Sequence, residues 1–239
     1  MIDSVSIIIP AYNEESRIKK TLLLVDKYFS DKKIDHEIIV VDDGCLDKTA
    51  AVCRNAGIEN LKVIGYPNNR GKGFAVNYGV NRATKQFVLF VDADNSTPIG
   101  EFERLAEYSS DFDVVIGSRY LENSRVVVKQ PLSRIIGARL GNLLIQILLL
   151  PGFPDTQCGF KLFKFEAAKK IFAHQTIWRW GFDIEILYIA RKQGLKIKQV
   201  PVDWYNNIDS KIVSGSTFFV TLGELLSIKW RSLRGMYKH

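Results

Sequence analysis

Cysteine and histidine are scarce in this chain of 239 residues, and neither forms a compact cluster. The cysteines are Cys45, Cys53 and Cys158. Their odd number and the lack of a Cys-x-x-Cys pair indicate reduced thiols in a cytosolic compartment rather than a disulfide framework. A zinc site is disfavoured, because long stretches of sequence separate the histidines: His36, His174 and His239.

Long hydrophobic runs are also lacking. A membrane-spanning helix needs roughly 20 apolar residues, whereas the longest candidate, residues 143–150, has eight and includes Gln146. The first residues, Met1 to Ser4, carry no basic region of a secretory signal peptide. We therefore expect a cytoplasmic protein that associates at most peripherally with the cytoplasmic face of a membrane.

The charge of the chain is unevenly distributed. Its net charge is +7, and 25% of its residues are charged, as in a folded globular protein. Residues 119–139 and 211–239 each hold five basic residues against one acidic residue. Such segments suggest a phosphate-bearing substrate, a polyanion or an anionic membrane surface. Nucleic acid is not expected as a partner, because interleaved aromatic residues for base stacking are missing.

The first half of the chain alternates strand and helix patterns. Short β-branched apolar runs predict strands at residues 5–9, 37–41, 61–65, 87–91 and 113–116. Between them, we expect a helix capped by Asn13 and a second helix from about Leu46 to Gly57. This alternation predicts an α/β fold with a mainly parallel central sheet and helices on both faces.

The pattern changes after residue 117. Residues 117–133 are basic and aperiodic, whereas residues 135–150, 164–173 and 181–193 have helical patterns. A loop at 151–159 and a strand-like run at 196–204 complete this half. Residues 217–238 form a basic stripe opposite an apolar one that includes Leu226, Trp230 and Leu233. This helix would lie on a membrane surface or pack on the catalytic domain or a second subunit.

Acidic side chains follow three of the predicted strands, at Glu14, Asp42-Asp43 and Asp92-Ala93-Asp94. Ligands of open α/β sheets bind beyond the carboxyl ends of the strands, where these residues would converge. An extended Asp-x-Asp can direct both carboxylates to one Mg²⁺ or Mn²⁺, which would also hold a diphosphate.

Glycines precede the helix predicted at residues 72–84. The Gly71-Lys72-Gly73 segment is neither a P-loop nor a dinucleotide fingerprint, because no Gly-Lys-Ser/Thr follows and Val76 replaces a third glycine. Glycines before a helix allow close approach of a phosphate, and Lys72 adds positive charge. A tight turn with a solvated lysine explains the pattern equally well.

Four motifs in order resemble the family 2 glycosyltransferases of the GT-A fold: SIIIPAYNEE at 6–15, VVDDG at 40–44, NRGKG at 69–73 and VDAD at 91–94. In the second half, GSRY at 117–120, Arg134, DTQCGFK at 155–161 and WGFDIE at 180–185 resemble the polyprenyl-phosphate branch, with dolichyl-phosphate β-glucosyltransferases closer than mannose synthases.

The resemblance implies roles for the strand-end residues. A nucleoside-diphosphate sugar, UDP-glucose in the first place, would bind to Pro10, Ala11, Tyr12, Glu14, Asp42, Asp43, Lys72, Asp92 and Ala93. The metal, Mg²⁺ or Mn²⁺, would be held by Asp92 and Asp94. Cys45 and Ser96 depart from the family pattern, which commonly has Ser and, in mannose synthases, Gln at these places.

The resemblance places a polyprenyl phosphate acceptor against the second half, with its phosphate bound by Arg119, Arg134, Gln157 and Lys161. Asp155 would act as a base or form a salt bridge with Lys161. A base is not required, because a phosphate monoester with a second pKa of about 6 is already anionic at neutral pH. Asp94, Arg119, Arg134, Asp155 and Lys161 are therefore the expected catalytic residues.

Together these observations predict a catalytic domain at residues 1–212, with a nucleotide-sugar half (1–117) and an acceptor half (118–212), followed by an amphipathic basic helix at 213–239. The expected activity is inverting, metal-dependent transfer of a sugar to polyprenyl phosphate at the membrane. A soluble family 2 transferase acting on a saccharide or protein hydroxyl is the alternative, and a non-catalytic nucleotide-sugar binding module is a third. A homo-oligomer is compatible with the sequence.

Overall fold

The computed structural model describes residues 2–127, 132–205 and 216–237, with the backbone alone for 132–138 and 216–221. Within these residues the strands are β1 (Ser4–Ala11), β2 (Asp35–Asp43), β3 (Leu61–Tyr66), β4 (Phe87–Val91), β5 (Val114–Ser118), β6 (Arg125–Val126), β7 (Phe160–Lys164), β8 (Ile197–Pro201) and β9 (Asp203–Trp204). The helices are α1 (Ile18–Asp31), α2 (Thr49–Arg54), α3 (Lys72–Val80), α4 (Phe102–Ala106), α5 (Leu132–Leu148), α6 (Phe165–Ala173), α7 (Phe182–Lys192) and α8 (Ser216–Leu233), with a 3-10 turn at Ile99–Glu101.

A seven-stranded sheet has the order β3-β2-β1-β4-β7-β5-β8, and its strands are parallel except for β7. The mainly parallel sheet and its five first strands are thus confirmed. Strand β7 was not expected, because a run with lysines at two of five positions does not look like a buried strand. It is accommodated because Lys161 is buried with a partner carboxylate. Strands β6 and β9 form a separate parallel pair.

Helices cover both faces of the sheet, as predicted. Alternate residues of β1 point to opposite faces, so Ile7 packs in the core beneath α1, whereas Ile8 packs in the core that contains α3, α6 and α7. The buried face of α1 contains Ile18, Leu22, Val25 and Phe29, the spacing seen in the sequence.

Two predicted helix starts were wrong. Helix α1 begins at Ile18, and Asn13 does not cap it. Instead, Asn13 adopts a positive φ of 55°, and its Oδ1 accepts a hydrogen bond from the Leu46 backbone N–H at 2.8 Å. Helix α2 begins at Thr49 rather than near Leu46. The intervening residues form two loops that bind each other at the ends of β1 and β2, a long-range contact that local spacing does not reveal.

The C-terminal helix α8 packs on the domain with part of its apolar surface. Leu225, Ile228 and the following Tyr237 are buried in the core, whereas Leu226, Trp230 and Leu233 are exposed. The single apolar stripe expected for this helix is therefore divided into a buried and an exposed part. Among the described residues, no helix combines the length and apolarity needed to span a membrane.

Candidate active site

The strand-end carboxylates converge at the carboxyl end of β1. At this point the chain connections lead to strands on opposite sides of β1. Strand β1 lies between β2 and β4 in the sheet, so Glu14, Asp42 and Asp92 lie at or just beyond the carboxyl ends of three adjacent parallel strands. This is the position at which open α/β sheets bind ligands. The convergence expected from the sequence is therefore present in the fold.

Asp43 organises the loop that leads into α3. Its buried carboxylate accepts hydrogen bonds from the Tyr66 hydroxyl at 2.8 Å, Asn69 Nδ2 at 2.9 Å and the backbone N–H groups of Arg70 and Gly71 at 2.7 and 3.0 Å. Burial and the neighbouring Asp43 carboxylate raise the pKa of Tyr66, which remains a neutral donor. Asp43 thus fixes the glycine loop, and its direct contact with a nucleotide stays a prediction.

Cys45 joins the ends of β1 and β2. Its backbone N–H donates to Asp42 Oδ1 at 2.7 Å, and its thiol donates to the Ala11 carbonyl oxygen at 3.4 Å. The Asn13 N–H donates in turn to Cys45 Sγ at 3.3 Å. Burial, together with Asp42, raises the pKa of Cys45 to about 12, so the thiol is neutral. Cys45 therefore connects the ends of the two strands through its backbone and its thiol.

The remaining residues expected at the nucleotide surround this connection. Pro10 is the penultimate residue of β1 and is buried, and Tyr12 is partly exposed directly after the strand. Glu14 forms an ion pair with Arg17, one contact of which, Nη2 to Oε1, measures 2.9 Å. Glu14 would have to share its carboxylate between Arg17 and a ribose, so its predicted nucleotide contact remains open to test.

Asp92 and Asp94 lie just beyond β4, and Asp92 is paired with Lys72. The distance from Lys72 Nζ to Asp92 Oδ1 is 2.7 Å. A Cβ placed on Gly159 would meet Asp92 Oδ2 at 2.0 Å, so the carboxylate lies directly against the backbone of residue 159. Ala93 is buried, and its carbonyl oxygen accepts from Thr21 Oγ1 at 2.7 Å, which anchors the segment to α1.

Lys72 is the first residue of α3 and the cation of this cluster. Burial opposes its charge, but the carboxylates of Asp92, Asp183 and Asp94 outweigh that effect and raise its pKa. The preceding Gly71 has a φ of 102°, and a Cβ there would meet the Trp178 carbonyl oxygen at 2.5 Å. Lys72 and the positive end of the α3 dipole therefore form a region suited to phosphate.

The two carboxylates fit a hard divalent cation. Burial, followed by the charge of Asp92, raises the pKa of Asp94, as expected of two acidic groups whose charges are incompletely balanced. Oxygen ligands of this kind suit Mg²⁺ or Mn²⁺. Among the described residues there is no group of three or more potential protein ligands, so a cation here would draw other ligands from a diphosphate and water.

Just beyond β5, Arg119 and Asp155 form a bidentate pair. Arg119 Nε and Nη2 donate to the two carboxylate oxygens at 2.7 and 2.9 Å, and the Arg119 backbone N–H donates at 2.9 Å. Burial opposes ionisation of Asp155, but Arg119 prevails and lowers its pKa. The salt bridge between Asp155 and Lys161, one of two expected possibilities, was therefore wrong: Asp155 orients Arg119.

Lys161 is completely buried, which corrects the expectation that it contacts the acceptor directly. Its ammonium pairs with Asp183 and donates to the Cys158 carbonyl oxygen at 2.5 Å. A buried and paired ammonium offers no surface to a phosphate. Gln157 is partly exposed and donates its backbone N–H to Asp155 Oδ1 at 3.2 Å. Arg134 belongs to α5, but its side chain lies outside the described residues.

Asp183 and Glu185 belong to the motif at 180–185, but the sequence analysis assigned them no role in this region. Both are buried at the start of α7, within a helix whose other residues up to Ala190 are buried as well. Burial raises the pKa of Asp183 against the opposing charges of Lys161 and Lys72. Two carboxylates within an otherwise apolar run were the available signal, since buried charges need partners.

Comparisons with known proteins identify the family. The model of the family described as "Glycosyl transferase family 2" matches residues 6–172 of the chain. The chain is 36% identical to a dolichyl-phosphate beta-glucosyltransferase of Dictyostelium discoideum, over 98% of this chain and 76% of that protein. It is 32% identical to the Homo sapiens protein of the same name, over 98% of this chain and 77% of that protein.

Among solved structures, the chain resembles glucosyl-3-phosphoglycerate synthase from Mycobacterium tuberculosis in complex with Mn²⁺, UDP-glucose and phosphoglyceric acid. The TM-score is 0.70 at 20% identity, over 95% of this chain and 80% of that chain. At this identity the likeness supports the fold alone. The family model that matches residues 6–172 and the relatives matched over 98% of this chain show that the chain belongs to glycosyl transferase family 2.

Proposed function

We propose that this enzyme transfers glucose from UDP-glucose to a dolichyl or related polyprenyl phosphate, with inversion at the anomeric carbon. The observation that carries the proposal is the Lys72–Asp92 pair beside Asp94 at the switch point of the sheet, with Arg119 fixed at the end of β5. The relatives of 31–38% identity are named dolichyl-phosphate beta-glucosyltransferases, which supports this choice of donor sugar and acceptor.

The donor diphosphate would lie between the Asp-x-Asp segment and the amino end of α3. Asp92 and Asp94 would hold Mg²⁺ or Mn²⁺, and the bound ion would neutralise charge on the departing diphosphate. Lys72 supplies a fixed positive charge at the same place, and Gly71 and Gly73 let the loop before α7 pack closely against the start of α3. These groups would stabilise the leaving nucleoside diphosphate as the bond to the anomeric carbon breaks.

The acceptor phosphate oxygen would form the new bond to the anomeric carbon. Because the monoester is anionic near neutral pH, the enzyme has to position it rather than deprotonate it. This agrees with the structure, where Asp155 is committed to Arg119 and its pKa is lowered, which makes it a poor base. Arg119, still partly exposed, and Arg134 are the proposed phosphate ligands.

We further propose that the exposed face of α8 contacts an anionic membrane. It carries Leu226, Trp230 and Leu233 with two cationic neighbours, Lys229 and Arg234. The Arg234 guanidinium lies 3.5 Å from the centre of the Trp230 ring. Helix α5 packs beside α8 and exposes more apolar side chains: Leu140, Leu143 and Ile147. Exposed apolar residues with neighbouring cations suit reversible binding at a membrane interface.

The activity is tested by incubating the protein and Mn²⁺ with several nucleotide sugars and a polyprenyl phosphate. We expect a glucosylated lipid phosphate from UDP-glucose. Transfer to free saccharides or peptides, with none to the lipid, would instead establish the alternative transferase. Tight nucleotide-sugar binding without turnover on any acceptor would establish a binding module.

The membrane contact is tested by sedimentation with anionic and neutral liposomes. Changing Leu226, Trp230 and Leu233 to Ser should reduce binding to anionic liposomes, whereas the same change at Leu23 and Leu24, exposed on α1 at the opposite face of the sheet, should not. Wild-type protein that ignores anionic liposomes would refute the membrane contact. Loss of a dimer in the α8 variant would indicate a subunit interface.

A further inference from the structure

Glu185 is a fully buried carboxylate with an unusually large set of donors. It accepts hydrogen bonds from the Thr176 and Ile177 backbone N–H groups at 2.9 and 2.7 Å, from the Thr176 hydroxyl, and from the Tyr237 hydroxyl at 2.6 Å. Arg231 Nη1 lies 3.8 Å from the same carboxylate and also contacts the Thr176 hydroxyl. Glu185 therefore joins the C-terminal segment to the loop at residues 174–181.

That loop covers the amino end of α3. The Phe74 N–H donates to the Trp178 carbonyl oxygen at 3.1 Å, and Gln175 Nε2 donates to the Gly73 carbonyl oxygen at 3.0 Å. The Trp180 ring centre lies 5.6 Å from Lys72 Nζ. A displacement of the loop would therefore move Lys72 and the start of α3, beside which the donor diphosphate is proposed to lie.

The C-terminal segment is fixed to the same region by other contacts. A Cβ on Gly181, at the end of the loop, would meet Glu224 Oε2 of α8 at 2.5 Å. Further along α8, the Tyr188 hydroxyl and Ser232 Oγ are 2.8 Å apart. The second contact joins α7 to α8 without touching the loop. A variant that loses it therefore weakens the attachment of α8 and leaves the contacts of the loop in place.

We propose that Glu185, held by Arg231 and Tyr237, is a positioning residue that transmits the placement of the C-terminal segment to the donor diphosphate site. The proposal rests on the proposed function, because it assigns the diphosphate to the start of α3. Arg231 and Tyr237, which lie about 30 or more positions after the last strand of the sheet, would thus contribute to donor recognition. The same α8 carries the exposed face proposed to meet the membrane, so membrane contact and donor affinity would be linked.

The test uses two matched variants, Tyr237→Phe and Tyr188→Phe. Each removes one buried hydroxyl between α7 and the C-terminal segment and keeps its aromatic ring, and the two rings pack edge to face 6.0 Å apart. Only the Tyr237 hydroxyl binds Glu185. Amide hydrogen exchange of residues 174–181 reports loop position without any ligand, and calorimetry with UDP and Mn²⁺ reports the diphosphate site.

We expect Tyr237→Phe to accelerate exchange across residues 174–181 and to weaken UDP binding about threefold to tenfold, the range for one lost hydrogen bond. Tyr188→Phe should leave both near wild type, even if its melting temperature falls equally. Glu185→Gln should exceed Tyr237→Phe in both readouts if it folds. Equal behaviour of the two tyrosine variants, or faster exchange with unchanged UDP affinity, would overturn the proposal.

A failure of the proposed function is distinguishable. If the wild-type protein makes no glucosylated lipid, the exchange and UDP measurements still report on the loop and on the diphosphate site. If wild type itself does not bind UDP, the same calorimetry with the nucleoside diphosphate that it binds best decides the question. Absence of binding to all of them would refute both the donor site and the positioning role.

Discussion

Gly159 offers a sharp test of the Asp92 position. Residue 159 precedes β7, and a Cβ there would lie 2.0 Å from Asp92 Oδ2, 2.3 Å from Cγ and 2.5 Å from Oδ1. Such contacts are about 1 to 2 Å shorter than ordinary van der Waals separations. Because the whole carboxylate is in the way and it ends a rotatable side chain, Gly159→Ala should displace Asp92 rather than the backbone.

A displaced Asp92 would lose its 2.7 Å contact with Lys72 and leave the position from which it would share a cation with Asp94. Misplacement of a catalytic group by about 1 Å costs on the order of 100-fold in rate. We therefore expect kcat/KM for glucosyl transfer to fall by about that factor, with a higher Mn²⁺ concentration needed for half-maximal rate and little change in melting temperature.

The matched control is Gly100→Ala, where an added Cβ meets no heavy atom within 4 Å. This variant should keep wild-type kinetics. Wild-type activity and metal dependence in Gly159→Ala would refute the assignment of Asp92 to the donor site. A collapse of the melting temperature would show that the backbone yields instead.

Three further predictions concern charge. Asp94→Asn should fold normally but lose most metal-stimulated transfer, because an amide is a poorer ligand for a hard cation; full activity at low Mn²⁺ would contradict this. Arg134→Ala should raise the KM for polyprenyl phosphate about tenfold or more while sparing that for the nucleotide sugar, as expected for a lost charge-assisted contact; equal effects on both KM values would place it elsewhere. Because Arg119 lowers the folded-state pKa of Asp155, the pair stabilises the fold above the unfolded pKa near 4 and loses this contribution as pH falls further. The melting temperature of Asp155→Asn should therefore differ most from wild type at neutral pH and converge with it in acid; a constant difference would show that ionisation of Asp155 is irrelevant.

The parallel part of the sheet was predictable because its information is local. Runs such as residues 5–9 and 87–91 are apolar and β-branched over a strand length, and such runs fit the interior of a parallel sheet. The positions of the carboxylates then follow from where these apolar runs end. Since parallel strands end at one edge, Glu14, Asp42 and Asp92 had to converge there.

Charged side chains within the second half could not be assigned in this way. Lys161 was expected at a phosphate, but insertion of antiparallel β7 between β4 and β5 buries it against Asp183, 22 residues further on. Arg119 and Asp155 are 36 residues apart and meet for the same reason. A buried ion pair depends on which partner the fold brings close, and sequence spacing carries no record of that choice.

For the C-terminal helix, the sequence by itself determined an amphipathic helix with cationic residues, since helical spacing alone places Leu226, Trp230 and Leu233 near one another. Only the tertiary structure decided which side chains of this helix are directed into the domain. Leu225 and Ile228 pack in the core, and Arg231 points inward to Glu185. The physical reason is that helical periodicity gives the direction in which each side chain points from the helix axis. Its burial depends instead on whether a distant part of the chain packs against that side of the helix.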